Sequence, residues 1–354
     1  MLVPLACGDQ AGDEATTAET TAATGSGTAA TGSSGGPPAD PTTGTTGPAS
    51  ASADDDDDTS AAAATAGPDD SSGGETSETT GTPAACPESP LPAGDHMLEI
   101  PHSTGLRTAL LHVPPGLDPN TPAPLIFNFH GFTMTGAGEQ AFSRMDMLSD
   151  AEGVIVVYPD GLANSWNAGA CCGDSATQGV DDVGFVRALH AHLATLVCYD
   201  PRRVYSTGMS NGGFLTNRLA CEAADLFAAF GPVSSVNGME TCEPSRPVPV
   251  IAFNGTDDLL VAYDGLLYIS VAESFAAWGA RNGCVGEPEP GKVNGDGHCA
   301  TFMDCAGGVQ VTQCTLEGMG HCWPGNPACV YGTPGTDLDA NAEMWAFFSQ
   351  YSLP

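Results

Sequence analysis

Residues 202–213 read Arg-Arg-Val-Tyr-Ser-Thr-Gly-Met-Ser-Asn-Gly-Gly and constrain the fold more than any other stretch of the chain. Residues 204–207 predict the end of a buried strand, and residues 214–221 (Phe-Leu-Thr-Asn-Arg-Leu-Ala-Cys) predict a helix. Between them lies Gly208-Met209-Ser210-Asn211-Gly212, the G-x-S-x-G pattern in the strand–turn–helix setting it requires. A turn this sharp holds its serine in strained backbone geometry, and small neighbours let strand and helix approach. It lifts the Ser210 hydroxyl out of the sheet as a nucleophile. It also aims the Asn211 N–H, at a helix N-terminus, toward a developing oxyanion. The competing reading is a glycine-rich turn with a solvated serine.

The chain changes character near residue 85. Residues 8–85 are almost wholly Thr, Ala, Gly, Ser, Pro and acidic residues, without an aromatic residue, Lys or Arg. Such a segment cannot bury enough apolar surface to offset its ordering entropy, which predicts a disordered acidic linker, further extended by the run Asp54 to Asp58. Residues 86–354 hold all four Trp and the apolar runs, and their length suits one α/β domain. This domain keeps 29 of the 43 acidic residues against all 9 basic ones, which argues against nucleic acid and anionic membrane surfaces as partners.

Thirteen cysteines without a CxxC pattern point to disulfides in an oxidising, extracellular or cell-surface compartment, zinc being the competing reading. Cys7 stands apart. It follows Met-Leu-Val-Pro-Leu-Ala, so residues 1–7 read as the remnant of a lipoprotein-type signal whose cysteine is lipidated, although the apolar stretch is short and lacks basic residues. Setting Cys7 aside leaves twelve cysteines, enough for six bridges. Membrane attachment is expected through Cys7 only, because no long apolar run occurs elsewhere.

Along the domain, strands are predicted at 97–100, 107–113, 124–130, 154–158, 228–233, 248–253 and 309–316, and helices at 182–197, 268–278 and 339–351. Their alternation predicts a mostly parallel, doubly wound sheet. A serine nucleophile needs a base, and the base an orienting carboxylate, each on a loop after a later strand. Strand 248–253 is followed by Asn254-Gly255-Thr256-Asp257-Asp258. Asp258 is the preferred acid because Gly-Thr-x-Asp is the usual form of such a loop, with Asp257 as the fallback. Strand 309–316 is followed by Gly318-Met319-Gly320-His321, whose glycines let His321 reach across to Ser210 as the base. The second oxyanion donor belongs after an early strand, where His130-Gly131-Phe132 offers the Phe132 N–H; His130 itself reads as structural. Trp166 and Trp323 lie beside these loops and are candidates to stack on a sugar or aromatic acyl group, packing under the loops being the alternative.

Several motifs in order resemble one family: His130-Gly131-Phe132, Tyr158-Pro159-Asp160-Gly161, Trp166-Asn167-Ala168-Gly169-Ala170-Cys171-Cys172-Gly173, Val180-Asp181-Asp182-Val183-Gly184-Phe185, the Ser210 elbow, Gly255-Thr256-Asp257-Asp258 and Gly320-His321-Cys322-Trp323-Pro324-Gly325. The family is the polyhydroxybutyrate depolymerase-like and feruloyl esterase-like group of secreted α/β-hydrolases, which overlaps carbohydrate esterase family 1. The resemblance implies an α/β-hydrolase fold and a serine carboxylesterase that needs no cofactor or metal. Its ester substrate would be a feruloyl or acetyl ester of plant polysaccharide, with poly(3-hydroxybutyrate) or a related short-chain polyester as the alternative. A reading from another class is a non-catalytic, carbohydrate-binding surface lipoprotein, which turnover of p-nitrophenyl acetate separates from an esterase. Many members carry Thr where Cys322 stands. Some tannase-like members bridge a cysteine after the His to one before the Ser, but here Met209 holds that place. Cys322 is therefore expected either to remain free or to pair elsewhere, with Cys171 or Cys172, each bridging outward, or with the nearby Cys329.

Overall fold

The computed structural model describes residues 86–354; the expectations for residues 1–85, including the linker and Cys7, lie outside the described residues. The chain opens with an antiparallel hairpin, β1 (Gly94–His102) and β2 (Gly105–Val113), and continues into β3 (Ala123–Phe129). Every residue of β3 is buried, and its side chains sort by the two-residue period of a strand. Leu125, Phe127 and Phe129 enter one core layer, Ile126 the other. β4 (Ile155–Pro159) divides in the same way, with Ile155 and Val157 on one side and Val156 and Tyr158 on the other. A sheet apolar on both faces must be covered on both, which requires helices between its parallel strands.

Two short helices, α1 (Gly136–Ser143) and α2 (Asp146–Glu152), join β3 to β4; α3 (Gly173–Thr177) and α4 (Asp182–Leu193) lead to β5 (Tyr199–Met209). α5 (Asn211–Glu222), β6 (Ala229–Val233), β7 (Val250–Gly255) and α6 (Val271–Arg281) follow. An antiparallel pair, β8 (Glu289–Asn294) and β9 (Gly297–Phe302), precedes β10 (Val311–Leu316) and the closing α7 (Ala340–Phe348). The ten strands form one sheet in the order β1-β2-β4-β3-β5-β6-β7-β10-β9-β8. The six central strands, β4 to β10 in that order, are parallel, with antiparallel pairs at both edges. Residues of α4, α5 and α6 pack in the first core layer, and residues of α1, α2 and α7 pack in or against the second. This is the doubly wound α/β architecture expected from the sequence. Among the described residues, no helix is long and apolar enough to cross a membrane.

Four elements carry no strong sequence signal. α1 to α3 are short, and β8 is exposed along its whole length, so it lacks the apolar alternation that marks a half-buried strand. Its one cue is Asn294-Gly295, a hairpin turn signal with Gly295 at φ +56°.

All twelve cysteines of the described residues are paired: Cys86–Cys198, Cys171–Cys172, Cys221–Cys242, Cys284–Cys305, Cys299–Cys314 and Cys322–Cys329. One of these corrects the sequence reading: Cys171 and Cys172 bond to each other rather than outward. For Cys322 the structure selects the local alternative, a bridge to Cys329, over the long-range one.

Candidate active site

Ser210 is the single residue between the end of β5 and the start of α5, at φ 54° and ψ −120°. A side chain there costs about 1–3 kcal/mol of backbone strain, which the surroundings must offset. They do so from both sides. The Ser210 N–H donates to Val233 O at 3.0 Å, and Ser210 O accepts the Phe214 N–H at 2.9 Å as the first bond of α5. The flanking glycines are steric requirements, because a Cβ on Gly208 or Gly212 would overlap the Phe129 carbonyl. The Ser210 hydroxyl has no hydrogen-bond partner among the described residues, nor does His321 Nε2, so the link between them is open here. Such bonds are often long in unliganded enzymes and close with substrate.

β7 and β10 are parallel neighbours, so the loops after them leave the same edge of the sheet as the elbow after β5. His321 Nδ1 lies 2.7 Å from Asp258 Oδ2, and both side chains are buried. Asp258 Oδ1 accepts the Leu260 and Val261 N–H groups at 2.8 and 2.9 Å, which fixes the carboxylate plane. An acceptor at Nδ1 puts the imidazole proton there and leaves Nε2 with its lone pair, the tautomer a base needs. Asp257 is exposed and contributes its backbone N–H to Met319 O at 3.0 Å.

The segment after β6 joins the two halves. Val233 O holds the Ser210 N–H, while the next residue, Ser234, donates its hydroxyl to Cys322 O at 2.9 Å. Ser234 sits at φ 47° in the buried interior. Nothing in its local sequence announced this role. The loop carrying His321 is further held by a backbone pair between His321 and Tyr331, with His321 N–H donating to Tyr331 O at 2.7 Å. The Cys322–Cys329 bridge closes the loop between those two residues. Cys322→Ser should lower kcat by up to about 10²-fold with KM little changed, because it loosens the base and not the binding surface. Steady-state kinetics on a soluble ester checks this, and a rise in KM at constant kcat would contradict it.

The Gly131–Phe132 turn sits beside the elbow. A Cβ on Gly131 would lie 3.5 Å from Ser210 Cβ. Gly131 O accepts from His130 Nδ1 at 2.8 Å and from the Met134 N–H at 3.1 Å. His130 Nε2 in turn accepts the Gly161 N–H at 2.9 Å, so the proton is on Nδ1, and burial lowers the imidazole pKa and keeps it neutral. A peptide is planar and trans, so fixing Gly131 C=O fixes the opposite direction of the Phe132 N–H. That N–H has no acceptor among the described residues. The Asn211 N–H opens α5, where the first N–H groups have no intrahelical acceptor.

Trp166 and Trp323 do not line a substrate surface. Trp166 is 0% exposed and Trp323 1%, which corrects the expectation that they stack on substrate. The loop carrying Trp166 folds inward because it has partners there. Its backbone N–H and C=O clasp the Asn211 side-chain amide at 2.7 and 3.0 Å, and its Nε1 donates to His130 O at 3.0 Å. Trp323 lies in the opposite core layer, with Nε1 donating to Asn341 Oδ1 at 3.1 Å, and docks the loop carrying His321 on α7.

The family model for esterase PHB depolymerase matches residues 107–253, a span that holds the Gly131–Phe132 turn and the elbow. Feruloyl esterase B of Piromyces equi is 31% identical over 269 residues, covering 70% of this chain and 46% of that protein. The protein named as an esterase, NocK, of Nocardia uniformis subsp. tsuyamanensis is 31% identical over 259 residues, covering 64% of this chain and 75% of that one. The chain belongs to the polyhydroxybutyrate depolymerase-like and feruloyl esterase-like family. Its members are carboxylic ester hydrolases of the α/β-hydrolase fold. The bifunctional acetylxylan esterase/xylanase XynS20E of Neocallimastix patriciarum is 27% identical over 254 residues, 70% of this chain and 34% of that protein. The chain thus spans less than half the length of the Piromyces and Neocallimastix relatives. Away from the esterase site, Asp95, His112 and Asp146 bring ligand-type atoms within 4.8 Å of one another, on β1, β2 and α2. His112 there is already engaged by Asp95 at 2.6 Å and by Asp150 at 3.0 Å.

Proposed function

We propose that this member of the family is an extracellular or cell-surface serine carboxylesterase working through Ser210, His321 and Asp258. The observation that carries the reading is the buried Asp258–His321 pair on the sheet edge where Ser210 stands without a hydrogen-bond partner. His321 Nε2 takes the Ser210 proton as Oγ attacks the ester carbonyl, and the Phe132 and Asn211 N–H groups bind the resulting oxyanion. The imidazolium, stabilised by Asp258, returns its proton to the leaving alcohol. Water activated by the same imidazole then hydrolyses the acyl-enzyme. None of these steps calls on a metal or cofactor. Six disulfides support an oxidising compartment, and attachment through a lipidated Cys7 belongs to the same proposal.

The first substrate class is a feruloyl or acetyl ester of plant polysaccharide, which the names of the Piromyces and Neocallimastix relatives support. One observation favours a short-chain polyester as the second. The loop after Asp258 exposes Leu259, Leu266, Leu267 and Ile269, a concentration of aliphatic surface beside the catalytic acid. Relative kcat/KM on methyl ferulate, acetylated xylan and poly(3-hydroxybutyrate) decides between them. The reading expects a feruloyl or acetyl ester to lead by at least about tenfold, a transition-state difference of about 1.4 kcal/mol. A lead for the polyester transfers the assignment to the aliphatic loop.

A further inference from the structure

Strand pairing brings two loops together without fixing where their peptides point. β3 and β5 are parallel neighbours, with Phe129 opposite Gly208, so the Gly131–Phe132 turn and the Ser210 elbow leave the sheet side by side. Two N–H groups serve one oxyanion only if both point at it from about 2.7–3.1 Å. Loops on separate strands keep that geometry only through a shared support. Trp166 makes hydrogen bonds to both loops.

On the elbow side the contact is through its main chain. The Trp166 N–H donates to Asn211 Oδ1 at 2.7 Å, and Asn211 Nδ2 donates to Trp166 O at 3.0 Å. A side-chain amide paired at both its oxygen and its nitrogen has no free rotation, so the residue that opens α5 is held in place. On the other side the contact is through the indole. Trp166 Nε1 donates to His130 O at 3.0 Å, on the peptide that joins His130 to Gly131. The segment leading to Trp166 holds the same turn at two more points. The Gly161 N–H donates to His130 Nε2 at 2.9 Å, and Asn164 O accepts the Thr133 N–H at 2.8 Å. Phe132 therefore lies between two tethered residues. The indole is itself fixed, edge-on to Phe129 at 5.4 Å and stacked on Phe185 at 6.5 Å. Trp166, Asn211 and His130 are all fully buried, so water does not compete for these bonds, and a lost partner is not replaced.

We propose that Trp166 is a positioning residue that sets the spacing of the two oxyanion donors, its main chain holding the Asn211 side and its indole N–H the Phe132 side. The inference rests on the Ser210 reading above, in which the Phe132 and Asn211 N–H groups bind the oxyanion. A packing role alone needs only the apolar faces of the indole. The positioning role needs the Nε1 proton and the Asn211 amide as well. With either link cut, the uncharged ester still binds, but the tetrahedral anion meets two donors that have lost their common aim. The cost then falls on the transition state and not on the ground state.

The test compares the full-length protein with Trp166→Phe, Asn211→Ala and the double variant, each shown to be folded by circular dichroism and assayed well below its own Tm. Trp166→Phe keeps an aromatic ring and the main-chain clasp and deletes the indole N–H. Asn211→Ala deletes the clasp and keeps the backbone N–H. Two quantities are read: steady-state hydrolysis of p-nitrophenyl acetate, and inhibition by phenylboronic acid. In the latter, Ser210 Oγ adds to boron and its proton passes to His321, which leaves a tetrahedral boronate anion where the ester's oxyanion would form. Each single variant should lower kcat by about 10–100-fold with KM within about 3-fold, and the boronate Ki should rise by about the factor by which kcat falls. The double variant should cost less than the product of the two, because both links belong to one support. If Trp166→Phe fails to fold, the boronate Ki of Asn211→Ala decides. A folded single variant whose kcat and Ki stay within about 3-fold of the parent, with only Tm lowered, overturns the inference and leaves Trp166 a packing residue. A loss of kcat without a change in Ki overturns it too. An unmodified protein that neither turns over the ester nor binds the boronate overturns the Ser210 reading and the inference with it, whereas failure confined to the variants overturns the inference alone.

Discussion

Ser210→Ala should lower kcat on a soluble ester by about 10³–10⁶-fold while Tm stays within a few degrees of the parent. The strained backbone at φ 54° is imposed by the bonds to Val233 and Phe214 and by the close approach of Gly208 and Gly212 to Phe129, none of which involves the hydroxyl. Alanine therefore inherits the same elbow and loses only Oγ. His321→Ala should cost a similar factor, because without Nε2 the serine proton has no acceptor. The double variant should cost little more than either single one, since nucleophile and base act as one unit. Purified variants assayed side by side check this. Losses that multiply would mean that Ser210 and His321 act in separate steps or separate sites.

The second large effect separates two adjacent carboxylates. Asp258→Asn should lower kcat by about 10²–10⁴-fold, whereas Asp257→Asn should change it by less than about 2-fold. The reason is the wiring of Asp258. Its Oδ1 is committed to the Leu260 and Val261 N–H groups, so an asparagine placed there keeps its carbonyl on those donors and turns its NH₂ toward His321 Nδ1. A donor at that position forces the imidazole proton onto Nε2, where the base must accept one. Asp257 is exposed and uses its backbone toward Met319, which the substitution leaves intact. Equal losses in the two variants, read as kcat at neutral pH, would contradict this division of roles.

The parts of the site legible in the sequence are those where backbone geometry dictates residue type. Gly208 and Gly212 announce the elbow because any side chain there meets the Phe129 carbonyl, and Gly255 marks a loop that approaches the Met319 backbone closely. The parallel sheet was legible for a similar reason, since strands buried on both faces, such as β3 and β4, read as continuous apolar runs. Burial of side chains beside a loop has no such signature. Trp166 in a glycine-rich loop reads equally as a stacking platform or as a core residue. What decides is the partner set of Asn211, His130 and Phe129, which comes from two segments distant in sequence from Trp166. Ser234 was invisible for the same reason. The β8–β9 hairpin failed differently, because an exposed edge strand buries no alternating face and so leaves no period to read.

Covalent labelling tests the central claim most directly. The unmodified protein is incubated with a fluorophosphonate, which reacts with an activated serine hydroxyl but not with an ordinary one, and the labelled peptide is mapped by mass spectrometry. Ser210 as nucleophile predicts one phosphonyl group per chain on the peptide containing Gly208-Met209-Ser210-Asn211-Gly212, with labelling lost in Ser210→Ala and strongly slowed in His321→Ala. Absence of labelling in protein shown to be folded, or a label on a different serine, would contradict the account.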